Sequence, residues 1–328
     1  MRTEARYPHV GASAGHYESF YIKATRPGGG QGVWIRHTVR KPPGAGPTGS
    51  LWLTVFDSSA PGPRATKATH PPSEVEAPAG GYIRIADSVL EPGRARGSAT
   101  SDALGADWDL RFESALGPLR HLPYGFLYRA PLPRTKLLSP YPAATFTGTL
   151  TVGGEQIELD RWPGMVGHNW GAEHAERWVW LHAPELDGAD GYLDVAAGRI
   201  KVGGWTSPWI ANGVLRLDGE DLRLGGLDRI RSTKLSERPT RCDFSLRGKG
   251  TTVRGRVAAD PTAFVAWVYA DPDGPEHHTL NCSIADLELT VEHAGSTPRR
   301  LEARGAAAYE IGVRETDHGI PLQPYPDG

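Results

Sequence analysis

Short runs of alternating apolar and polar residues dominate the chain, and they predict β-strands. In residues 32–39 the odd positions after Gly32 hold Val, Ile, His and Val, while the even positions hold Trp, Arg and Thr. A period of two is expected when the two faces of a pleated strand meet different surroundings. Residues 18–25 and 50–56 are likewise rich in β-branched and aromatic side chains and are bounded by glycine and proline.

Two hairpins follow from the same pattern. Residues 145–152 alternate threonine with apolar residues, and Gly153-Gly154 then leads into residues 156–159. A second pair of candidate strands, residues 178–182 and residues that begin at 191, would form a hairpin across positions 183–190. The first hairpin is the clearest local prediction in the chain.

Helical periodicity is nearly absent. Residues 261–269 and 283–292 are the windows where a helix could be argued, and both are also acceptable strands. The proline-rich region 116–142 predicts an extended crossing segment, because proline bars a long helix and a central strand. Each half of the chain offers about the number of strands at which small barrels close. We therefore expect an all-β fold class: two consecutive β-barrels, residues 1–173 and 174–328, with few short helices.

Composition narrows the functional classes. Lys and Arg total 36 against 38 Asp and Glu among 328 residues, and no basic stripe is present, so we expect no nucleic acid partner. The longest apolar run, residues 263–270, is far shorter than the roughly 20 residues of a membrane-spanning helix. The start lacks the apolar core of a signal peptide. These features predict a soluble, cytoplasmic protein, and its two cysteines have no metal or disulfide spacing.

The most chemically distinctive stretch extends from Gly164 to Asp194. Three tryptophans and three histidines fall within residues 168–182, and a Tyr-Leu-Asp sequence follows at 192–194. This mixture combines large apolar walls with groups that can carry protons, which is typical of a pocket for a small molecule.

Strand parity suggests how the stretch could work. Trp178, Trp180 and His182 share one face of their strand, and Tyr192 and Asp194 share a face of theirs. An aspartic acid in a dry interior beside aromatic rings should have a raised pKa and could act as a proton donor. The negative faces of the rings would stabilise a developing cation. Such a site suits protonation of an alkene or an ionic rearrangement.

Other interpretations of these residues are open. Tryptophan clusters often only fill barrel cores, and a buried histidine or tyrosine is often structural. A metal site would draw on His168, His174, His182 and Glu176, but their spacing matches no established zinc motif, so we expect none. No Gly-x-Ser-x-Gly elbow supports a serine hydrolase, and Gly28-Gly29-Gly30 lacks the order of a nucleotide-binding loop.

The residues around the stretch carry a family resemblance. Gly-Met-Val-Gly-His168-Asn-Trp170-Gly, the following Trp178-Val-Trp180, and Tyr192-Leu-Asp194 resemble the carotenoid hydratases, also called hydroxyneurosporene synthases. Relatives of that family include tocopherol-cyclase-like proteins, AttH-type proteins and certain natural-product cyclases. The resemblance implies two tandem lipocalin-like antiparallel β-barrels and no metal or organic cofactor. It also implies that Asp194 donates a proton to a double bond before water adds.

These inferences lead to a first hypothesis about function. The protein would be a cofactor-free hydratase, cyclase or isomerase of an apolar, isoprenoid-like or polyene molecule, with Asp194 as the acid. Tyr192 and His168 would position the acid and a water molecule. The residues expected to bind the substrate are Trp170, Trp178, Trp180, His182 and Asn169. A lipid carrier with the same barrels and a structural interaction protein whose pocket is filled by its own side chains are the alternatives, and the oligomeric state is left open.

Overall fold

The first half of the chain forms one large antiparallel sheet. The computed structural model describes residues 3–274 and 276–325. Within these residues the sheet has twelve strands, in the order β4-β3-β2-β1-β12-β11-β9-β8-β7-β6-β5, with β10 beside β11. The strands are β1 (His16–Thr25), β2 (Gln31–Lys41), β3 (Thr48–Asp57), β4 (Arg64–His70), β5 (Val75–Glu76), β6 (Ile83–Ile85), β7 (Ser88–Glu91), β8 (Arg94–Thr100), β9 (Gly105–Glu113), β10 (Leu119–Arg120), β11 (Thr135–Val152) and β12 (Glu155–Gly171).

The second half forms another antiparallel sheet. Its order is β18-β17-β14-β13-β24-β23-β21-β20-β19, with β22 beside β23, and β15 and β16 pair separately. The strands are β13 (Arg177–Ala183), β14 (Gly191–Arg199), β15 (Lys201–Val202), β16 (Trp205–Thr206), β17 (Ile210–Leu217), β18 (Glu220–Gly225), β19 (Lys234–Arg238), β20 (Arg241–Arg247), β21 (Thr251–Ala258), β22 (Val265–Ala270), β23 (Glu276–His293) and β24 (Arg299–Val313). Short 3₁₀ helices lie at Tyr7–His9, Pro72–Glu74, Gly125–Tyr128, Leu227–Ser232 and Pro261–Ala263.

This architecture confirms the predicted all-β class. Strands account for 61% of the chain and helix for 6%, and the sheets form a nearly closed barrel and a half-barrel. Both windows that could have been helices contain strands, β22 and β23, and only one 3₁₀ turn precedes β22. The last strand of the first sheet ends at Gly171 and the first strand of the second sheet begins at Arg177, so the expected boundary between residues 173 and 174 lies between them. That each half is a domain of its own stays a prediction.

Both predicted hairpins are confirmed. Strands β11 and β12 pair antiparallel, and Gly153 and Gly154 make the turn with φ angles of 58° and 84°, which favour glycine. Strands β13 and β14 pair so that His182 lies directly opposite Asp194. This register puts alternate residues of β13 and β14 on one face, as the parity argument required.

The prediction for the proline-rich segment is wrong in one respect. Strand β11 begins at Thr135, lies between β12 and β9, and contains Pro140 and Pro142. The register with β12 shifts between Leu138 and Tyr141 and again between Tyr141 and Ala144. Each proline therefore lies at an irregularity, where its missing N–H does not interrupt a regular ladder.

The two sheets pack against each other through strands β1 to β3 and β23. All ten residues of β1 are buried, whereas β9 alternates buried and exposed residues as a strand with one wet face does. Trp34 and Trp52 of the first sheet enter the apolar core of the second, where the ring centroids of Trp52 and Trp267 are 5.0 Å apart. The junction between the sheets is therefore an interior.

None of the helices in the described part of the chain has the length and apolarity needed to cross a bilayer.

Candidate functional site

A cavity of about 330 Å³ lies at the junction of the two sheets. Its wall is mainly apolar and aromatic, with a few polar groups, which is the usual composition of a small-molecule site. Residues from both halves of the chain contribute to it, among them Tyr17, Tyr21, Arg36, His121, Asn169, His174, Trp178, Trp180, Asn212, Tyr269 and Glu310. An open cavity does not fit the alternative in which the protein's own side chains fill the pocket.

Two glycines let aromatic rings lie flat on the cavity floor. A Cβ atom at Gly167 would overlap the ring of Tyr21, and one at Gly312 would overlap the ring of Trp178. Tyr21 and Trp178 both line the cavity. The glycine at 167 therefore allows a close approach of the Tyr21 ring.

The most distinctive polar group on the wall is His121, which a buried carboxylate supports from behind. Ser139 Oγ donates to Asp194 Oδ2 at 2.6 Å, and His121 Nε2 lies 3.1 Å from Ser139 Oγ and 3.3 Å from Asp194 Oδ2. Trp180 Nε1 donates to Asp194 Oδ1 at 3.2 Å. Asp194 is completely buried, so its charge is held by these donors.

The hydrogen-bond pattern places a proton on His121 Nε2. Ser139 gives its only proton to Asp194, so His121 Nε2 must be the donor in its contact with Ser139. Nδ1 lies 3.4 Å from the carbonyl oxygen of Asn212, at the long limit of a hydrogen bond.

The expected raised pKa of Asp194 is wrong. Burial does act to raise it, but the charge and hydrogen bond of His121, together with Ser139, lower the pKa to about 2. The sequence around Asp194 shows its aromatic neighbours but not His121, because that histidine comes from a distant segment of the chain. Asp194 is therefore a carboxylate, and it lies beside the ring of His121.

Three of the other predicted residues lie on the cavity wall: Asn169, Trp178 and Trp180. Trp178 Nε1 donates to Glu310 Oε1 at 3.0 Å, and Trp180 makes the contact with Asp194 described above. The β13 face that carries the two indoles thus reaches the cavity from the second sheet.

His168 and Trp170 lie elsewhere. His168 is fully buried, stacks on Phe20 at 3.9 Å, and its Nε2 is 2.7 Å from Glu18 Oε1. Trp170 packs against Tyr128 and neighbouring apolar residues in a separate cluster. Neither residue is part of the cavity wall, because β12 turns their side chains to the face opposite to that of Asn169.

Tyr192 and His182 are buried behind the wall. Tyr192 packs with Leu119 and Val214, and burial raises the pKa of its phenol. His182 Nε2 donates to the carbonyl oxygen of Pro142 at 3.1 Å, and burial lowers the pKa of the ring to about 4. The structure gives neither residue a direct path to a substrate in this cavity.

Sequence reasoning missed several residues of the wall. His121 is the only histidine in the proline-rich region 116–142, and a lone imidazole on a segment that crosses a barrel was the signal available. Arg36 is another omission: it is buried, its Nε donates to Ser19 Oγ at 2.6 Å, and its guanidinium lies 3.9 Å from the centre of the Tyr269 ring.

A second polar cluster adjoins the cavity. Among the described residues, one group of three could hold a metal ion, namely His174, Asp271 and His277, whose candidate ligand atoms all lie within 4.8 Å of one another. Only His174 belongs to the set that the sequence offered. His168 and His182 occupy the separate positions described above.

No family model matches the sequence. Two uncharacterized proteins of Mycobacterium tuberculosis, from strains CDC 1551 and H37Rv, are each 29% identical over 313 residues, which is 95% of this chain and 91% of theirs.

Solved structures with a similar fold include an AttH-like protein from Nitrosomonas europaea, with a TM-score of 0.55, 14% identity and 94% of both chains covered. The fold is lipocalin-like. Kievitone hydratase from Nectria haematococca has a TM-score of 0.51 at 10% identity, over 94% of this chain and 90% of that one. CghA, solved with Sch210972, has a TM-score of 0.55 at 12% identity, over 91% and 88%. At such identities the similarity concerns the fold alone.

Proposed function

We propose that the protein is an acid-catalysed hydratase, cyclase or isomerase of an apolar, isoprenoid-like or polyene small molecule. The observation that carries the proposal is His121, an imidazole on an otherwise largely apolar cavity wall with the buried carboxylate of Asp194 beside it. The hydratase among the similar folds is consistent with this class of chemistry.

The acid step uses the proton on His121 Nδ1. Nδ1 lies 3.4 Å from the Asn212 carbonyl, and both residues line the cavity, so we take Nδ1 as the nitrogen that would offer its proton to a substrate. Transfer of that proton to an alkene carbon leaves a neutral imidazole and a carbocation. Nε2 keeps its proton, which it donates to Ser139 Oγ. Asp194 accepts the proton of Ser139 and so holds the ring in the same orientation throughout. The donation itself needs no metal or organic cofactor.

The walls would then stabilise the cation. The faces of Trp178 and Trp180 carry the negative part of the ring quadrupole, and both residues line the cavity. Attack by one water molecule gives a hydrated product, attack by a second double bond gives a ring, and loss of a proton gives an isomer. In each case the imidazole regains a proton before the next turnover.

The size of the cavity bounds the substrate. Its 330 Å³ equals the liquid volume of about eleven water molecules, at the low end of the range for ligand pockets. A short isoprenoid fits such a space. A full-length carotenoid would have to enter by one end, with the remainder outside.

The test begins with the ligand. Mass spectrometry of small molecules retained by the purified protein identifies the chemical class, and incubation with short polyprenyl compounds and linear carotenoids then tests turnover. Asp194→Asn should abolish turnover, a loss of about 10²–10⁴-fold for general acid catalysis, because the neutral amide no longer stabilises the imidazolium.

Binding separates the enzyme from the carrier. The amide introduced by Asp194→Asn has nearly the size and shape of the carboxylate that it replaces, so the variant should bind the retained ligand with nearly unchanged affinity. Unchanged turnover would refute the acid role of the His121–Asp194 pair. Binding by the wild-type protein without conversion of any compound would favour the lipid carrier.

A further inference from the structure

We propose that His174, Asp271 and His277 form a binding site for a divalent transition metal of the zinc type at the edge of the cavity. This site is separate from the acid group, and the inference does not rest on the proposed function. Two imidazoles with one carboxylate are a common ligand set for zinc and its neighbours in the first transition series.

The three side chains already converge. Asp271 Oδ1 accepts from the backbone N–H of His174 at 2.7 Å and from His174 Nδ1 at 2.8 Å. The rings of His174 and His277 meet edge-on, with their centroids 5.8 Å apart. Metal bonds of about 2.0–2.2 Å require ligand atoms that can close to about 3–3.5 Å, and small side-chain movements bring the three within that range.

Unpaired nitrogens point to a missing partner. His277 is 0% exposed, and neither of its ring nitrogens has a hydrogen-bond partner in the described part of the chain. The Ala175 carbonyl faces the ring without reaching hydrogen-bond geometry. His174 Nε2 is also buried and unpaired. A buried polar atom without a partner is costly and calls for a bound ion or water.

The neighbouring arginines do not occupy the carboxylate of Asp271. Arg314 itself contacts Glu176 at 3.2 Å, and Arg40 contacts the backbone carbonyl of Asp271, so neither of these contacts takes up the Asp271 carboxylate.

Aromatic packing would hold the first ligand in place. The ring of His174 lies between Tyr17, with centroids 3.9 Å apart, and Trp178, at 5.4 Å. All three residues line the cavity. A metal bound here would therefore have an entry path and an open coordination position toward the cavity, where water or an oxygen of a ligand could bind.

The experiment needs no substrate. The purified full-length protein is stripped with a chelator, dialysed and titrated with Zn²⁺ by calorimetry, with Co²⁺ as the spectroscopic probe. We expect uptake of about one ion per chain, visible d–d absorption with Co²⁺, release of protons on binding and a higher Tm in excess Zn²⁺.

The decisive variant is His277→Leu. Because the ring nitrogens of His277 have no partner among the described residues, an apolar side chain of similar size should keep or raise the Tm of the metal-free protein. The same variant should lose metal binding at least tenfold and show no Tm rise with Zn²⁺. His318→Leu is the matched control, since it removes one ring of the nearby His278–His318 pair, 2.9 Å apart, and should leave zinc binding unchanged.

Two outcomes would overturn the proposal. One is a stripped wild-type protein that takes up neither metal. The other is a folded His277→Leu variant that binds zinc as tightly as the wild type. If that variant does not fold, Asp271→Asn provides a second test of zinc binding. Loss of the one anionic ligand must weaken the affinity for zinc at least tenfold. Each result is independent of whether His121 acts as an acid.

Discussion

Two buried pairs of histidine and carboxylate differ sharply in their surroundings. In the first, Glu18 accepts the backbone N–H groups of Arg6 and Tyr7 at 2.8 Å and faces His168 Nε2 at 2.7 Å. In the second, Asp194 lies 3.3 Å from His121 Nε2. All four side chains are almost entirely buried, but only the His121 ring forms part of a cavity wall.

The difference shows that burial and pairing do not by themselves place a histidine on a cavity wall. Glu18 ties residues 6 and 7 to β1, and its partner His168 is fully buried and stacks on Phe20. His121 has the same chemistry but lines the cavity. We therefore assign stability to the first pair and proton transfer to the second.

The largest expected effect is on turnover. His121→Gln keeps a hydrogen-bond donor for Ser139 but cannot release a proton, so the rate should fall by about 10²–10⁴-fold. The quantity to measure is kcat for whichever substrate the ligand screen provides, with the affinity for that substrate measured separately.

Substrate affinity is the control for this variant. It should change little, because the cavity keeps its shape and its apolar wall. A His121→Gln enzyme with full activity would contradict the assignment and return attention to the other histidines of the chain.

The fold could be predicted from the sequence because the alternation of apolar and polar residues along a strand is a local property. The hairpin of β11 and β12 and the hairpin of β13 and β14 both followed from period-two runs separated by turn residues. The proline-containing start of β11 was not accessible, since bulges opposite β12 that accommodate Pro140 and Pro142 depend on the partner strand.

The site was only partly accessible for a related reason. Trp178, Trp180 and Asp194 share a hairpin, so parity could bring them together. His121 reaches Asp194 from a segment more than seventy positions earlier in the sequence, and no local pattern records that contact. The opposite error was made for His168. It is near Trp178 in sequence, which suggested that the two share a pocket, but the alternation of side chains along β12 directs His168 away from the cavity that Trp178 lines.

The second prediction concerns stability at the other pair. Glu18→Gln should lower the free energy of unfolding by about 2 kcal/mol at neutral pH, because hydrogen bonds to a charged acceptor contribute about 1.5–3 kcal/mol. Urea denaturation measures this loss. Turnover of the folded variant should stay within about twofold of the wild type, and a large loss of activity with unchanged stability would reverse our assignment of the two pairs.

The smallest expected effect concerns pH. The difference in unfolding free energy between wild type and Glu18→Gln should depend on pH in the acid range. Burial acts to raise the pKa of Glu18, but His16 and His168 lower it from 4.5 to about 2. A folded-state pKa below the unfolded value means that the native state binds fewer protons. The stability that Glu18 provides is therefore complete above about pH 4.5 and declines as the pH falls toward 2.

A glutamine at position 18 cannot titrate, so the gap in unfolding free energy between wild type and Glu18→Gln should narrow as the pH falls from about 4.5 toward 2. Other buried groups lose stability in acid as well: burial lowers the pKa of His37 to about 3, and His121 and Ser139 outweigh burial to lower that of Asp194 to about 2. These losses occur in both proteins and cancel in the difference, so urea titrations at several pH values isolate Glu18. A gap that stays constant down to about pH 3 would mean that Glu18 is not held as a carboxylate, and the contrast with Asp194 would then lie in packing alone.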